Sequence, residues 1–148
     1  MLRGIPNCLS PELIKVIWEM GHGDKIVLAD AFYPSAASAK RNGSILIRCD
    51  GVRNTEVLDA ILQFMPLDES IEKPALIMDL QDCDRGKVAT PVWDEYKAIV
   101  KKHDRRGLDC VGMIERFSFY EAAKDAYAVI ATGEESLYGC MILQKGCK

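Results

Sequence analysis

The stretch "KIVLAD", residues 25–30, decides the fold of this chain. It is a short apolar run that ends in an acid, which is typical of a strand buried on both faces. A helix precedes it, because Ser10 can cap a helix, Pro11 suits the first helical position and Gly21 suits its end. Apolar residues mark one face of that helix at helical spacing: Leu13, Val16, Ile17 and Met20. The region therefore predicts a helix followed by a buried strand.

The same alternation continues along the chain. Further strands are predicted at 45–50, 74–80, 111–116, 127–132 and 138–144. Helices are predicted after Asn54 or Thr55, from Pro91 to about Lys102, and from Ser118, which forms a capping box with Glu121. Residues 32–44 look like a polar, turn-rich loop, long enough to suggest function. We expect an α/β fold in which residues 1–148 form a compact single domain, with a largely parallel central sheet flanked by helices.

Composition excludes several classes of protein. The 148 residues carry a net charge of −3, which argues against a nucleic-acid binder. No apolar stretch approaches the roughly 18–20 residues that span a bilayer, and the N-terminus lacks the apolar core of a signal peptide. These features predict a cytoplasmic protein that does not bind membranes.

The motifs for metals and nucleotides are missing as well. The six cysteines form no C-x-x-C pair, so reduced thiols are expected, and the His and Cys spacing does not suit zinc. There is no G-x-G-x-x-G and no Walker A loop, which argues against a nucleotide or dinucleotide site.

Polar residues collect where the predicted strands end, which is where α/β proteins usually bind ligands. Asp30, Asp50 and Arg116 each end a strand, Tyr120 falls in the first turn of the next helix, and Tyr138 precedes the last strand. Each has a simpler interpretation: a turn residue for the two acids, a surface ion pair for Arg116, and an aromatic at the core edge for the tyrosines.

His22 is one of two histidines and lies between two glycines, a setting that permits unusual backbone angles and close approach of a ligand. It can equally be surface decoration, as His103 in "KKHDRR" is expected to be. The combination of His, Asp, Arg and Tyr without a metal or phosphate motif points to acid–base chemistry on a neutral polar ligand.

Two long blocks of the sequence resemble a known family. "GIPNCLSPELIKVIWEMGHGDKIVLADAFYP" (4–34) and "IERFSFYEAAKDAYAVIATGEESLYGCMILQKG" (114–146) are similar to the fucose mutarotase branch of the family that also contains ribose pyranase. Between them, "IRCDG", "MPLD" and "TPVWDEY" resemble the same family, the last of these more the animal-type members than the enterobacterial ones. The likeness runs nearly the full length of the chain.

The resemblance implies an enzyme that interconverts the α and β anomers of L-fucose without a metal or organic cofactor. It implies a ribose pyranase-like fold and a homo-oligomer, with a decamer favoured and a dimer possible, and a sugar site near a subunit interface. By the same resemblance His22 would be the catalytic acid/base. Asp30, Arg116, Tyr120 and Tyr138 would bind the sugar or, for the tyrosines, assist proton transfer, and Asp68 matches a site position.

The sequence departs from the family pattern at one position. The family usually reads Tyr-Gly-Asn where this chain has Tyr138-Gly139-Cys140. A thiol donates and accepts hydrogen bonds only weakly, so a sugar contact at Cys140 would be weaker. Ring opening takes a proton from the anomeric hydroxyl and gives one to the ring oxygen, roles that histidine suits near neutral pH.

Two other functions remain open at this point: ribose pyranase-type isomerisation, and a module that binds a monosaccharide without catalysis. Asp30 can orient His22 or bind a sugar hydroxyl. A strand of six residues is roughly 20 Å long, so His22 and Asp30 are not expected to meet within one subunit. Either His22 of one chain would then face Asp30 of another, or the strand would have to be shorter and bent.

Overall fold

The computed structural model describes residues 2–147 and contains one six-stranded sheet. The strands are β1 (Lys25–Ala29), β2 (Ile45–Cys49), β3 (Ala75–Met78), β4 (Val111–Ile114), β5 (Ala126–Thr132) and β6 (Met141–Gln144). The α-helices are α1 (Pro11–Glu19), α2 (Ser35–Asn42), α3 (Asn54–Leu62), α4 (Pro91–His103) and α5 (Arg116–Ala122).

The sheet has the order β2-β5-β1-β6-β3-β4. β5 lies parallel to both β1 and β2, and β3 lies parallel to β4. β6 runs antiparallel to both of its neighbours, β1 and β3. The predicted α/β class is confirmed, and the sheet is mixed because one reversed strand joins two parallel groups.

The apolar residues of β1 divide the core into two layers. Ile26 and Leu28 pack with α1, α3 and α4 on one face, whereas Val27 and Ala29 pack with α2 and α5 on the other. Successive strand residues point to opposite faces, so a continuous apolar run requires cover on both sides. This is the structural reason for the uninterrupted apolar run of 26–29.

The prediction of a polar loop over 32–44 is wrong for residues 35–42, which form α2. Its small residues include three alanines, which favour a helix, and Gly43 ends it in the left-handed conformation with φ 70°. The basic residues Lys40 and Arg41 lie in its last turn, where they complement the helix dipole.

Two other boundaries differ from the prediction. α5 begins at Arg116, and its cap is the Glu115 carboxylate, which accepts the Ser118 backbone N–H at 2.9 Å. The proposed Ser118 capping box is therefore wrong, because Glu115 already accepts this amide. β6 begins at Met141 rather than 138, since Tyr138 adopts φ 56° and cannot continue an extended strand.

Candidate active site

A cleft of about 270 Å³ opens at the carboxyl ends of β1 and β3, between the start of α5 and the turn that leads into β6. Its size is close to the lower end for small-molecule pockets. It is lined by Asp30, Phe32, Tyr33, Met78, Asp84, Val88, Arg116, Tyr120, Leu137, Tyr138 and Cys140. Five of the residues predicted for the site therefore meet here: Asp30, Arg116, Tyr120, Tyr138 and Cys140.

Asp30 follows β1 directly and is 7% exposed. One carboxylate oxygen accepts the backbone N–H groups of Phe32 and Tyr33 at 3.0 and 2.9 Å, and the other accepts that of Gly139 at 3.1 Å. Burial raises the pKa of Asp30, although these hydrogen bonds oppose the shift. Asp30 is thus a fixed carboxyl group that gives up its proton less readily than a solvated one.

Arg116 and Tyr120 come from the same face of α5, one helical turn apart. The guanidinium lies 5.8 Å from the centre of the Tyr120 ring and donates to the Gln81 side-chain oxygen at 2.7 Å. The Tyr120 ring stacks on Tyr33, with 5.6 Å between ring centres. A cation and an aromatic surface are therefore held side by side at the cleft.

Tyr138 reaches the cleft from an unusual backbone conformation. Its φ of 56° is in the left-handed region, which a bulky residue rarely adopts. The next residue must be glycine, because a Cβ on Gly139 would lie 2.8 Å from the Ser136 carbonyl oxygen. The Tyr138 hydroxyl donates to Asp84 and accepts the Gln81 backbone N–H at 3.4 Å. Burial, and then the neighbouring Asp84, raise the pKa of Tyr138.

Side chains from α3 and α4 hold this turn from behind. Trp93 donates its indole N–H to the Tyr138 carbonyl at 2.9 Å. Tyr96 and Asn54 both donate to the Gly139 carbonyl, at 2.8 and 2.7 Å. Three hydrogen bonds to two successive carbonyls over-determine a strained conformation, which is how such strain persists at functional sites.

Cys140 is fully buried beside Asp30, and its sulfur accepts the Asp30 backbone N–H at 3.4 Å. Burial, reinforced by the Asp30 charge, raises the pKa of this thiol well above its ordinary value. Cys140 therefore contributes a neutral, weakly polar thiol to the cleft wall.

His22 and Asp68 form a second cluster at the opposite end of β1. The imidazole Nε2 lies 3.1 Å from Asp68 Oδ1, which also accepts the Ser70 backbone N–H and hydroxyl, and Gln144 donates to Oδ2 at 2.9 Å. These bonds, led by the Ser70 hydroxyl, hold the pKa of Asp68 well below its usual range. Since an ionised carboxylate can only accept, Nε2 carries the proton and Nδ1 is free to act as a base.

Comparison with known proteins identifies the family. The family model described as "RbsD / FucU transport protein family" matches residues 3–148. The chain belongs to this family.

Members of the RbsD/FucU family are similar to the chain over its whole length. Human fucose mutarotase is 48% identical over 98% of this chain and 93% of its own. The crystal structure of FucU from Bifidobacterium longum is 49% identical with a TM-score of 0.93, covering 99% of both chains. A fucose mutarotase from Streptococcus pneumoniae, solved in complex with L-fucose, is 44% identical with a TM-score of 0.88, again over 99% of both chains.

His22 and Asp68 are the two predicted site residues that do not line the cleft of this RbsD/FucU chain. The five-residue β1 separates them from Asp30 by roughly 17 Å along the sheet. His22 is oriented by Asp68 within its own chain, not by Asp30. Asp50, also considered from the sequence, instead pairs with Arg48 on the surface.

The sequence did not predict that Asp84, Tyr33 and the residues behind the Tyr138 turn belong to the site. For Asp84 a signal existed, because "QDCDRG" is an acidic loop that follows a strand at the same sheet edge. For Trp93, Tyr96 and Asn54 there was none, since their hydrogen bonds cross more than forty residues of chain.

Three further features concern the part of this family member that the structure describes. In residues 2–147 no cluster of three or more His, Cys, Asp or Glu side chains is arranged to bind a metal ion. Within the same residues, no helix has the length and apolar character needed to cross a membrane. The cysteine sulfurs at 8, 49, 83, 110, 140 and 147 are all free thiols.

Proposed function

We propose that this protein interconverts the α and β anomers of L-fucose by general acid–base catalysis, in the cytoplasm and without a metal or organic cofactor. One observation carries the proposal: two carboxyl groups, a guanidinium and three phenols converge on a monosaccharide-sized cleft. The chain that builds this cleft is 44% identical to a fucose mutarotase solved with L-fucose. The free thiols fit a reducing compartment.

The two sides of the cleft suit the two sides of the sugar. Asp30, Arg116 and Tyr138 would bind ring hydroxyl groups, since between them they supply both acceptors and donors. Besides its hydroxyl groups, L-fucose carries a methyl group in place of a hydroxymethyl. The apolar side chains of Met78, Val88 and Leu137 would contact this methyl. The Tyr120 ring offers an aromatic face to the pyranose C–H groups, and Cys140 a weak contact to a hydroxyl.

The reaction needs two simultaneous proton movements. The anomeric O1–H bond breaks as C1=O1 forms, and the C1–O5 bond breaks as the ring oxygen O5 gains a proton. Closing on the other face of C1 reverses both movements and gives the other anomer. Of the phenols in the cleft, Tyr120 and Tyr138 would carry protons, and neither His22 nor His103 lines it. A second acid or base is needed, and His22 has the suitable chemistry.

His22 would reach the site from a neighbouring subunit. Its side chain is 51% exposed at one end of the sheet, while the cleft opens at the other end. A contact between two different surfaces is heterologous and closes into a ring when the rotation allows. Large apolar side chains stand exposed near the cleft, where a neighbour would cover them: Phe32, Phe117 and Leu137. We therefore favour a ring, with a decamer ahead of a dimer, in which Asp68 enters each site as the orienting partner of His22.

The activity is tested by saturation-transfer NMR of L-fucose anomer exchange. The wild-type protein should exchange anomers well above the buffer rate, and His22→Ala should lower the rate by about 10²–10⁴-fold. The matched control is His103→Ala, which removes the other histidine, the last residue of α4, whose ring lies 2.6 Å from the Asp59 carboxylate. Sugar binding without exchange would instead indicate a binding module, and faster ring-size exchange of D-ribose would indicate a pyranase.

The subunit arrangement is tested by complementation. His22→Ala and Tyr138→Phe should each be inactive alone, but assemblies of both should regain about one quarter of the sites, because random pairing joins two intact groups that often. Mixing Tyr138→Phe with Arg116→Ala is the control, since both residues come from one cleft. Full inactivity of the first mixture would contradict a site shared between subunits.

A further inference from the structure

Asp84 lines the cleft but lies outside the motifs that carry the family resemblance. It lies in the short 3₁₀ turn Asp82–Asp84 after β3, and one of its carboxylate oxygens accepts the Tyr138 hydroxyl. Tyr138 is thus bonded to a group fifty-four residues away in sequence. This contact decides which way the Tyr138 proton points.

The hydrogen bonds around the Tyr138 hydroxyl leave one direction free. Its proton goes to Asp84, because an ionised carboxylate can only accept, and one lone pair takes the Gln81 backbone N–H. A phenol oxygen has a second lone pair, which neither of these contacts uses, and Tyr138 lines the cleft. Tyr138 therefore meets a ligand hydroxyl as an acceptor, not as a donor.

Asp84 is held in place by the backbone around it. Its own N–H donates to the Gln81 carbonyl at 2.9 Å, and its carbonyl accepts the N–H groups of Lys87 and Val88, both at 3.0 Å. Gln81 is in turn tied to Arg116 at 2.7 Å. The carboxylate, the phenol and the guanidinium are therefore parts of one connected hydrogen-bonded group.

We propose that Asp84 is the final proton acceptor of a two-member relay, in which Tyr138 takes the proton of the anomeric hydroxyl and passes its own to Asp84. The sugar O1–H bond breaks and a Tyr138 O–H bond forms, while the original Tyr138 O–H bond breaks and an Asp84 O–H bond forms. The C1–O5 bond opens at the same time, and O5 receives its proton from the acid of the site. Ring closure returns every proton. The inference rests on the proposed mutarotase function and adds Asp84 to it as the final base.

The relay is tested with the matched pair Asp84→Asn and Asp82→Asn, which change two carboxylates of the same 3₁₀ turn. The Asp82 side chain is fully exposed and contacts only Arg85. Because an amide accepts a hydrogen bond but not a proton, Asp84→Asn should lower kcat by about a hundredfold with KM within about threefold. Asp82→Asn should match the wild-type protein in both constants.

The pH profile separates a relay from a structural role. The wild-type and Asp82→Asn proteins should lose kcat in acid, because a carboxylic acid cannot accept a proton from the relay, and Asp84→Asn should lack this acidic limb. Asp30, Arg116 and Tyr138 share the cleft with position 84, and all three are unchanged in both variants. Asp84→Glu, which keeps a base in a displaced position, should restore part of kcat together with the acidic limb. This second variant also serves if Asp84→Asn does not fold.

The outcomes are distinct. Wild-type kcat in Asp84→Asn, a change confined to KM, or a retained acidic limb in that variant would overturn the relay and leave the mutarotase function standing. An Asp84→Glu protein without an acidic limb would also overturn it. If the wild-type protein did not exchange L-fucose anomers at all, the proposed function would fail and the relay with it.

Discussion

Asp30 and Asp68 lie at opposite ends of β1, both buried, with pKa values shifted in opposite directions. Asp30 accepts three backbone N–H groups, but burial dominates in the cleft and its pKa rises. Asp68 accepts the Ser70 hydroxyl, the His22 ring and the Gln144 amide, so its pKa falls. Carboxyl groups whose environments drive their pKa values apart commonly take different roles in one reaction. Here the first lines the cleft and the second is hydrogen-bonded to the His22 ring.

The largest loss of activity is expected from a substitution at Asp30. In Asp30→Asn an amide N–H would face a backbone N–H of the cleft, so a donor meets a donor, and the carboxyl group is lost to the sugar. We expect kcat/KM for L-fucose to fall by about a hundredfold. Asp50→Asn is the control, because Asp50 ends the nearby β2 but is exposed. Equal activity of the two variants would remove Asp30 from the site.

Asp68→Asn should have a smaller effect on activity. The amide can still accept from His22, but the carboxylate charge that strengthens this hydrogen bond is lost. Weakening one charge-assisted hydrogen bond costs about 1.4 kcal/mol, which corresponds to a roughly tenfold loss of kcat. The neighbouring Glu69→Gln, which changes an exposed pair with Arg105, should leave kcat unchanged. A loss as large as that of His22→Ala would indicate that Asp68 itself contacts the reacting sugar.

The two carboxyl groups should also change the free energy of unfolding in opposite directions as the pH changes. The lowered pKa of Asp68 means that its contribution is present above its unfolded pKa and is lost as the pH falls through the folded one. The raised pKa of Asp30 has the reverse sign: its contribution is present below the unfolded pKa and is lost as the pH rises through the folded one.

Urea unfolding of Asp68→Asn, Asp30→Asn and the wild-type protein between pH 3 and about 7 measures both signs. The stability advantage of wild type over Asp68→Asn should shrink toward acid, and that over Asp30→Asn should grow. Each slope is at most about 1.4 kcal/mol per pH unit for one proton. Parallel curves for the two variants would mean that the two environments do not differ in this way.

The smallest change is expected at Cys140, which shares the surroundings of Asp30. In Cys140→Asn an amide that donates and accepts well replaces a weakly bonding thiol. We expect KM for L-fucose to fall about threefold, the value of one modest hydrogen bond, with Cys83→Asn on the exposed loop as the control. An unchanged or higher KM in titrations of the exchange rate would show that position 140 does not contact the sugar.

The sequence predicted local structure well, because apolar periodicity and caps act over a few residues. The strands, the helix at Pro91 and the gathering of Asp30, Arg116, Tyr120 and Tyr138 at one sheet edge all follow from such signals. The family membership predicted from the motifs is confirmed by the comparisons.

Pairings across long stretches of chain could not be predicted. His22 meets Asp68 forty-six residues away, and Tyr138 meets Asp84 across fifty-four, through a fold that no local pattern encodes. The helix α2 was missed because its alanines and serines carry no apolar stripe. The location of each site residue on one chain or another stays a prediction, since it depends on an assembly.

The antiparallel strand β6 fixes the distance between the Asp30 and Asp68 carboxyl groups. Gly139, just before it, binds Asp30, and Gln144, its last residue, binds Asp68. The distance between these anchors is set by about five residues of extended chain, or roughly 17 Å. A one-residue insertion would either turn every side chain of β6 to the wrong face or release one anchor. The distance between the two carboxyl groups can therefore not change by one residue of β6 at a time. Changes at either end are expected as substitutions and not as insertions or deletions in this strand.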